Sequence, residues 1–402
     1  MKKKHGDVTK PVFFLLIFIF SILSFTLTTC GNPSGGGGGG TTEPLPVDLF
    51  AGFLPGLYLG APSSLTDTDI PIAGVPANDV VGAVTYINAN PGEYTLLLDA
   101  DVSITGNSLN LDTSGVKLTL IGLDTERKIS LSSWGTVFTI GAAGQTGIEL
   151  TLVNNITLEG LRNGQNGAIM NNNAPVIEVL QGANLIMLNG AKISGNTASS
   201  STLGQFAAVF VNGATFTMKG GTITGNSGTF MGLEYISAGG LFVGTNGIFI
   251  MEGGNISGNN AVGADTVIIT EATRIMLSGS ATIGILNKMI FTTAPSITIS
   301  SGWTGSVGRI DLSGNNSSME LIIYDYGNNR QVITAAAGYT LAAADIARFN
   351  NLGYFKTNTN TNNSQPISDP HIVTSGSYPL NAPNGFVIAN SGADIGKLVI
   401  AP

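Results

Sequence analysis

Three near-copies of one nine-residue phrase restrict what this chain can fold into. They are Leu188-Asn189-Gly190-Ala191-Lys192-Ile193-Ser194-Gly195-Asn196, Met218-Lys219-Gly220-Gly221-Thr222-Ile223-Thr224-Gly225-Asn226 and Met251-Glu252-Gly253-Gly254-Asn255-Ile256-Ser257-Gly258-Asn259. Their closing asparagines lie 30 and then 33 residues apart. A degenerate copy, Leu277-Ser278-Gly279-Ser280-Ala281-Thr282-Ile283, follows with one residue added. Self-similarity at this period means stacked units, each of which buries its apolar face only against its neighbours.

Each period holds three short strand-like pieces. In the second copy they are Ala207 to Val211, Phe216 to Met218 and Thr222 to Thr224. The few residues between them leave no room for a crossover helix. Similar pieces run through the chain: Val116 to Ile121, Lys128 to Leu131, Thr136 to Ile140, Ile148 to Val153, Asn155 to Leu158, Val176 to Leu180, Thr266 to Thr270, Arg274 to Leu277 and Ser296 to Ile299. The expected fold is therefore all-β, a single-stranded parallel β-helix. Phe216, Met218 and Ile223 should stack on Phe249, Met251 and Ile256 one coil on. Glycines 190, 220 and 253 should supply the corners. Asn196, Asn226 and Asn259 should form a ladder, each amide bonding to the amides above and below. Strands spaced ~4.8 Å apart would give about ten to twelve coils, a rod roughly 50 Å tall.

Composition agrees with a structure of this kind. Charged residues make up only 10% and glycines number 55, so Asn, Ser and Thr carry the polarity. A net charge of −8 excludes a nucleic-acid partner, which asks for Lys/Arg patches. A short capping helix is expected within 77–92: Asp79 or Asn78 caps it, Val80, Val84 and Ile87 form its buried face, and Asn90-Pro91-Gly92 stops it. It would cover the open end of the stack. After Gly302 the phrase fades. Residues 303–402 are read as irregular closing coils and a C-terminal cap, with a small independent domain as the competing reading. Within them Thr340 is the expected cap of a short helix reaching Phe349, and Lys397 to Ile400 a last strand.

The N-terminus reads as an address. Lys2, Lys3, Lys4 and Lys10 precede an apolar run from Pro11 to Thr29, the pattern of a secretory signal over 1–29; the run is also long enough to span a membrane, so an uncleaved anchor is the competing reading. Leu27-Thr28-Thr29-Cys30-Gly31 resembles a bacterial lipobox, whose Cys receives diacylglycerol; Thr29 is bulkier than the Gly, Ala or Ser usual before it. The resemblance implies lipid attachment at Cys30. Cys30 is the single cysteine, so no internal disulfide is available. Losing four lysines and Asp7 with the signal would take the charge from −8 to −11. Residues 30–76, with the glycine run Gly35 to Gly40, are read as a flexible tether rich in Gly, Pro, Ser and Thr.

The phrase Met-x-Gly-Gly-x-Ile-Ser/Thr-Gly-Asn resembles the repeats of pectate-lyase-like right-handed parallel β-helix proteins. It is most similar to spirochaete-type bacterial surface lipoproteins that carry it in tandem. The segments Val84-Thr85-Tyr86-Ile87-Asn88-Ala89, Tyr94-Thr95-Leu96, Gly338-Tyr339-Thr340-Leu341, Asp345-Ile346 and Arg348-Phe349 share the resemblance. It covers about Val75 to Pro402 and implies the right-handed form, which the general rule for parallel crossovers also favours. This chain departs from the pattern in losing the clear phrase after Asn259.

Folds of this class also host polysaccharide lyases and glycoside hydrolases, which need clustered or facing carboxylates. From Arg127 to Asn260 the only acids are Glu149, Glu159, Glu178, Glu234 and Glu252, each at least ten residues from the next. Asp99 and Asp101 share a side if extended, which makes a Ca²⁺ site conceivable; a solvated strand end is the plainer account. His371, in Asp369-Pro370-His371, reads as a surface-loop histidine with no further role. Tyr324 and Tyr326 flank Asp325 on one face and are candidates for stacking on a sugar ring; packing is the plainer account, as it is for Trp134 and Trp303. No catalytic residue, metal site or cofactor is assigned. The expected function is a lipid-anchored module on the bacterial outer membrane or cell surface. It would be non-catalytic, structural or adhesive, with membrane, glycans or surface proteins as partners. A polysaccharide lyase or hydrolase is the alternative.

Overall fold

A computed structural model describes residues 50–164, 170–200, 205–206, 208–230, 237–261, 267–269, 274–289, 296–313, 330–355, 377–379 and 386–400. All of them fall in one compact unit, Gly39–Pro402. The chain is all-β with long parallel sheets and few helices.

In the ten-stranded sheet only the first strand runs antiparallel, which leaves nine parallel layers among the described residues, below the ten to twelve expected. Register shows why these sequences stack. Thr215–Met218 lies on Ile248–Met251 with Phe216 opposite Phe249 and Met218 opposite Met251. The two phenylalanine rings are 5.4 Å apart at 29°. Ile193, Ile223, Ile256 and Ile283 form a second inward column in the neighbouring sheet. All are fully or almost fully buried. Strict alternation puts every second residue into this core, and each buried side chain of that size is worth about 1.5–3 kcal/mol.

The repeat phrase is offset by one residue from the structural register. Met187, and not Leu188, pairs with Met218. Ala191 is an extra corner residue, since Lys192 still pairs with Thr222. The corner glycines are corrected in the same way. Left-handed backbone occurs at Gly190, Gly221 and Gly254, and not at Gly220 or Gly253. Gly253 is needed for a different reason: a Cβ there would approach the Lys219 carbonyl to 2.6 Å.

The sixteen-stranded sheet is two ladders that merge. One contains Lys192–Ser194, Thr222–Thr224 and Asn255–Ile256; the other contains Ile177–Val179, Val209–Val211, Leu241–Val243 and Val267–Ile269. Between them the chain turns a corner and adds a strand to a small third sheet, Thr197–Ser200, Ser227–Phe230 and Asn260–Ala261. That corner is a left-handed glycine followed by asparagine: Gly195-Asn196, Gly225-Asn226, Gly258-Asn259, with φ of +76°, +68° and +66° at the glycines. One layer later Ile283 pairs with Ile256, so Ile285-Leu286 stands where Gly258-Asn259 stood. A β-branched residue resists positive φ. The corner disappears, and Thr282–Met289 runs straight through both ladders. Ser306–Ser313 continues alongside it, followed by Asn351–Phe355.

The first layer is covered by the helix Val80–Ala89, capped by Asp79, whose carboxylate accepts from the Gly82 N–H at 2.8 Å. Its buried face is Val80, Ala83, Val84 and Ile87. Asn88 Nδ2 ties it to the Asn110 carbonyl at 2.6 Å. Residues 50–76, expected to belong to the tether, are part of the fold, and residues 30–49 lie outside the described residues. Gly56–Leu59 pairs antiparallel with Glu93–Leu98 and covers that edge. Phe50 and Tyr58 pack with Leu97, Ile121, Leu123 and Val153 in a second apolar cluster.

At the other end the helix is Ala343–Ala347, shorter than expected, and Thr340 is not its cap. Asp345 does that work from inside the first turn, accepting from the Ala342 N–H at 2.8 Å and the Tyr339 hydroxyl at 2.7 Å. Trp303 is 3% exposed, donates to the Ala281 carbonyl and packs on Phe349. Lys397–Ile400 is a strand, paired antiparallel with Phe386–Ile388 and Arg330–Gln331.

Candidate functional site

Two features stand out once the layers are aligned: a column of buried asparagines at one corner and an uncharged groove at another. The asparagine column is structural chemistry. Asn226 Oδ1 accepts from the Asn196 N–H at 3.1 Å, and Asn259 Oδ1 accepts from both the N–H and Nδ2 of Asn226, at 3.1 and 2.9 Å. The remaining amide protons go to backbone: Asn226 Nδ2 to the carbonyls of Ile193 and Thr224, Asn259 Nδ2 to those of Ile223 and Ser257. So the side chains bond to main chain as well as to one another. Asn172 joins the column, donating from Nδ2 to Asn196 Oδ1 at 2.9 Å. Sequence reasoning missed it because Asn171-Asn172-Asn173 stands outside the repeat phrase. Asn172, Asn196 and Asn226 are at most 1% exposed. Buried polar groups of this kind must be paired, and these are.

The groove runs along four turns. From the second ladder the chain turns back to the ten-stranded sheet through seven residues after Ile140, three after Val179, three after Val211 and four after Val243. All four turns lie side by side on successive layers. The result is an open concavity of about 400 Å³ lined by Ala142, Ala143, Leu180, Gln181, Asn212, Gly213, Thr245 and Asn246. Left-handed residues make these turns tight: Gly182, Gly213 and Asn246. Backbone bonds hold them, among them Asn212 N–H to the Val179 carbonyl and Gly213 N–H to the Thr245 carbonyl at 2.9 and 2.8 Å. None of the lining residues is charged.

Charge gathers elsewhere, along the first ladder, and is spent locally. Lys128 lies 3.6 Å from Glu159, which also accepts from the Ser130 hydroxyl. Glu126 accepts from the Thr157 hydroxyl, and Asp101 from the Lys128 N–H. Asp99 accepts from Asn78 Nδ2, so it and Asp101 serve separate partners. Among the described residues no group of three or more His, Cys, Asp or Glu could hold a metal ion.

Glu178 stands apart. It sits between Thr139 and Phe210 in register, and burial pushes its carboxyl above the ordinary value of 4.5. No second carboxylate pairs with it there, so the facing pair of a glycosidase is not formed. Because its folded pKa is raised, ionisation works against folding. The stability present below the unfolded pKa is lost as pH rises through the folded one. Glu178→Gln should therefore melt above the wild type at pH 7, with the gap closing near pH 4 in a thermal-melt pH series.

Cys30, Tyr324, Tyr326 and His371 lie outside the described residues. Trp134 is 46% exposed, whereas Trp303 is core. No known family matches the chain, and no curated protein or solved structure shows significant similarity to it.

Proposed function

We propose that this protein is a lipid-anchored module displayed on a bacterial surface, non-catalytic, and built to adhere to glycans or neighbouring proteins. In this reading the parallel sheets are successive turns of a right-handed β-helix, since right-handed crossovers are the strong default for parallel strands. The observation that carries the proposal is the uncharged groove on the turns over a continuous apolar core. A rigid, weakly charged scaffold suits contact and does not suit acid–base chemistry. The basic n-region, apolar run and Cys30 support the anchor.

The test is expression of the full chain in a bacterial host. Radiolabelled fatty acid should be incorporated into the wild type and lost in Cys30→Ala, with the wild type accessible to protease on intact cells. Release of reducing ends from any polysaccharide by the purified protein, with turnover, would instead establish the lyase or hydrolase reading.

A further inference from the structure

The groove along the four turns after Ile140, Val179, Val211 and Val243 has what a neutral polysaccharide needs. Gln181, Asn212 and Asn246 line it, all exposed, and their side-chain amides make no hydrogen bond to another described residue. Each amide offers two donors and an acceptor. They stand on three successive layers: Gln181 follows Ile177–Val179, Asn212 follows Val209–Val211, and Asn246 follows Leu241–Val243. Layers of a parallel sheet are ~4.8 Å apart. That is close to the length of one pyranose residue in an extended chain. Ala142, Ala143 and Leu180 add a small apolar surface for the C–H face of a sugar. Part of the lining is held before any ligand arrives, since Asn212 N–H and Gly213 N–H are bonded to the Val179 and Thr245 carbonyls. A preformed site loses less entropy on binding.

We infer that this groove binds an extended, uncharged hexose polymer lying across the layers, one sugar to each amide. The inference rests on the glycan-adhesion reading above and makes it specific. Absence of Lys and Arg from the lining disfavours acidic polysaccharides, which are recognised through paired charge. An extended peptide is disfavoured too. It would bind by adding to an open sheet edge. Here the N–H groups of Leu180, Asn212 and Gly213 are already bonded to the carbonyls of Ile140, Val179 and Thr245.

The experiment uses detergent-solubilised full-length protein on an array of neutral glucans, mannans and galactans, polygalacturonate and unstructured peptides, followed by calorimetry with the best ligand. A neutral polymer should bind. Gln181→Ala/Asn212→Ala/Asn246→Ala should weaken it at least tenfold, and Ala143→Arg, which fills the groove from its rim, should do the same. Lys192→Ala, on the first ladder, should leave binding unchanged; Asn246 holds a φ of +55°, so the triple variant should melt lower by the cost of an alanine in left-handed backbone, whereas Ala143→Arg, at an exposed position, should melt with the wild type. Neutral-polymer binding that survives both groove variants would overturn the groove while leaving glycan adhesion intact. Binding only to polygalacturonate or peptide would overturn the neutral-hexose assignment, and no binding to any glycan would bring down the adhesion reading with it.

Discussion

Asn226→Asp should destabilise the fold at pH 7 by roughly 3–5 kcal/mol, the usual cost of an uncompensated buried charge. The substitution changes one NH₂ to an oxygen, yet that NH₂ faces three acceptors: the carbonyls of Ile193 and Thr224 and the Oδ1 of Asn259, at 3.2, 3.1 and 2.9 Å. The site is 1% exposed, so water cannot intervene. Asn226→Ala should cost less, about 2–4 kcal/mol, from leaving the Asn196 N–H unpaired and removing one donor from the Ile193 carbonyl. The two variants part with pH. Burial among acceptors raises the pKa of the new carboxyl. Its folded pKa then exceeds the unfolded one, so the Asp variant recovers stability as pH falls through the folded value and loses it as pH rises. Urea unfolding at pH 7 and pH 4 separates them. Equal losses for Asp and Ala at both values would mean that Nδ2 contributes nothing to the corner.

How far the fold could be read in advance depended on how local each signal was. The columns Phe216–Phe249, Met218–Met251 and Ile223–Ile256 were legible because alternation and repetition act within a few residues of sequence. The slip at Leu188 came from Ala191, an extra corner residue that a phrase-to-phrase alignment absorbs on the wrong side. Gly56–Leu59 was hidden in a Pro- and Ser-rich stretch because its partner strand begins at Glu93, far along the chain. The merger in Thr282–Met289 did leave a trace, since Ile285-Leu286 replaces Gly-Asn, but its consequence depends on two ladders already lying side by side. The groove left the weakest trace. It belongs to no single segment: four turns lying far apart in sequence line it, and it exists only once the layers are stacked.

Phe249→Ala tests that stacking directly. Phe249 is fully buried, with Phe216 on one side at 5.4 Å and Ile275 in register on the other. Removing its ring should cost about 3–5 kcal/mol, transfer plus cavity. Where that loss appears matters more than its size. In a stack each layer touches only its neighbours, so stability is a sum of layer and interface contributions. Weakening two interfaces in the middle should uncouple the layers before Phe249 from those after it. The chain has two tryptophans, and they report on the two sides: Trp134 in the early layers and Trp303 buried against Phe349 near the closing end. With Trp134→Phe as background, Trp303 fluorescence should coincide with far-UV circular dichroism during urea unfolding of the parent. Adding Phe249→Ala should split them, so that the Trp303 transition and the bulk loss of strand signal have different midpoints. A single coincident transition, shifted as a whole, would show that the layers unfold as one unit in spite of their nearest-neighbour contacts. An unshifted transition would mean that the Phe216–Phe249 column is not a principal source of the stack's stability.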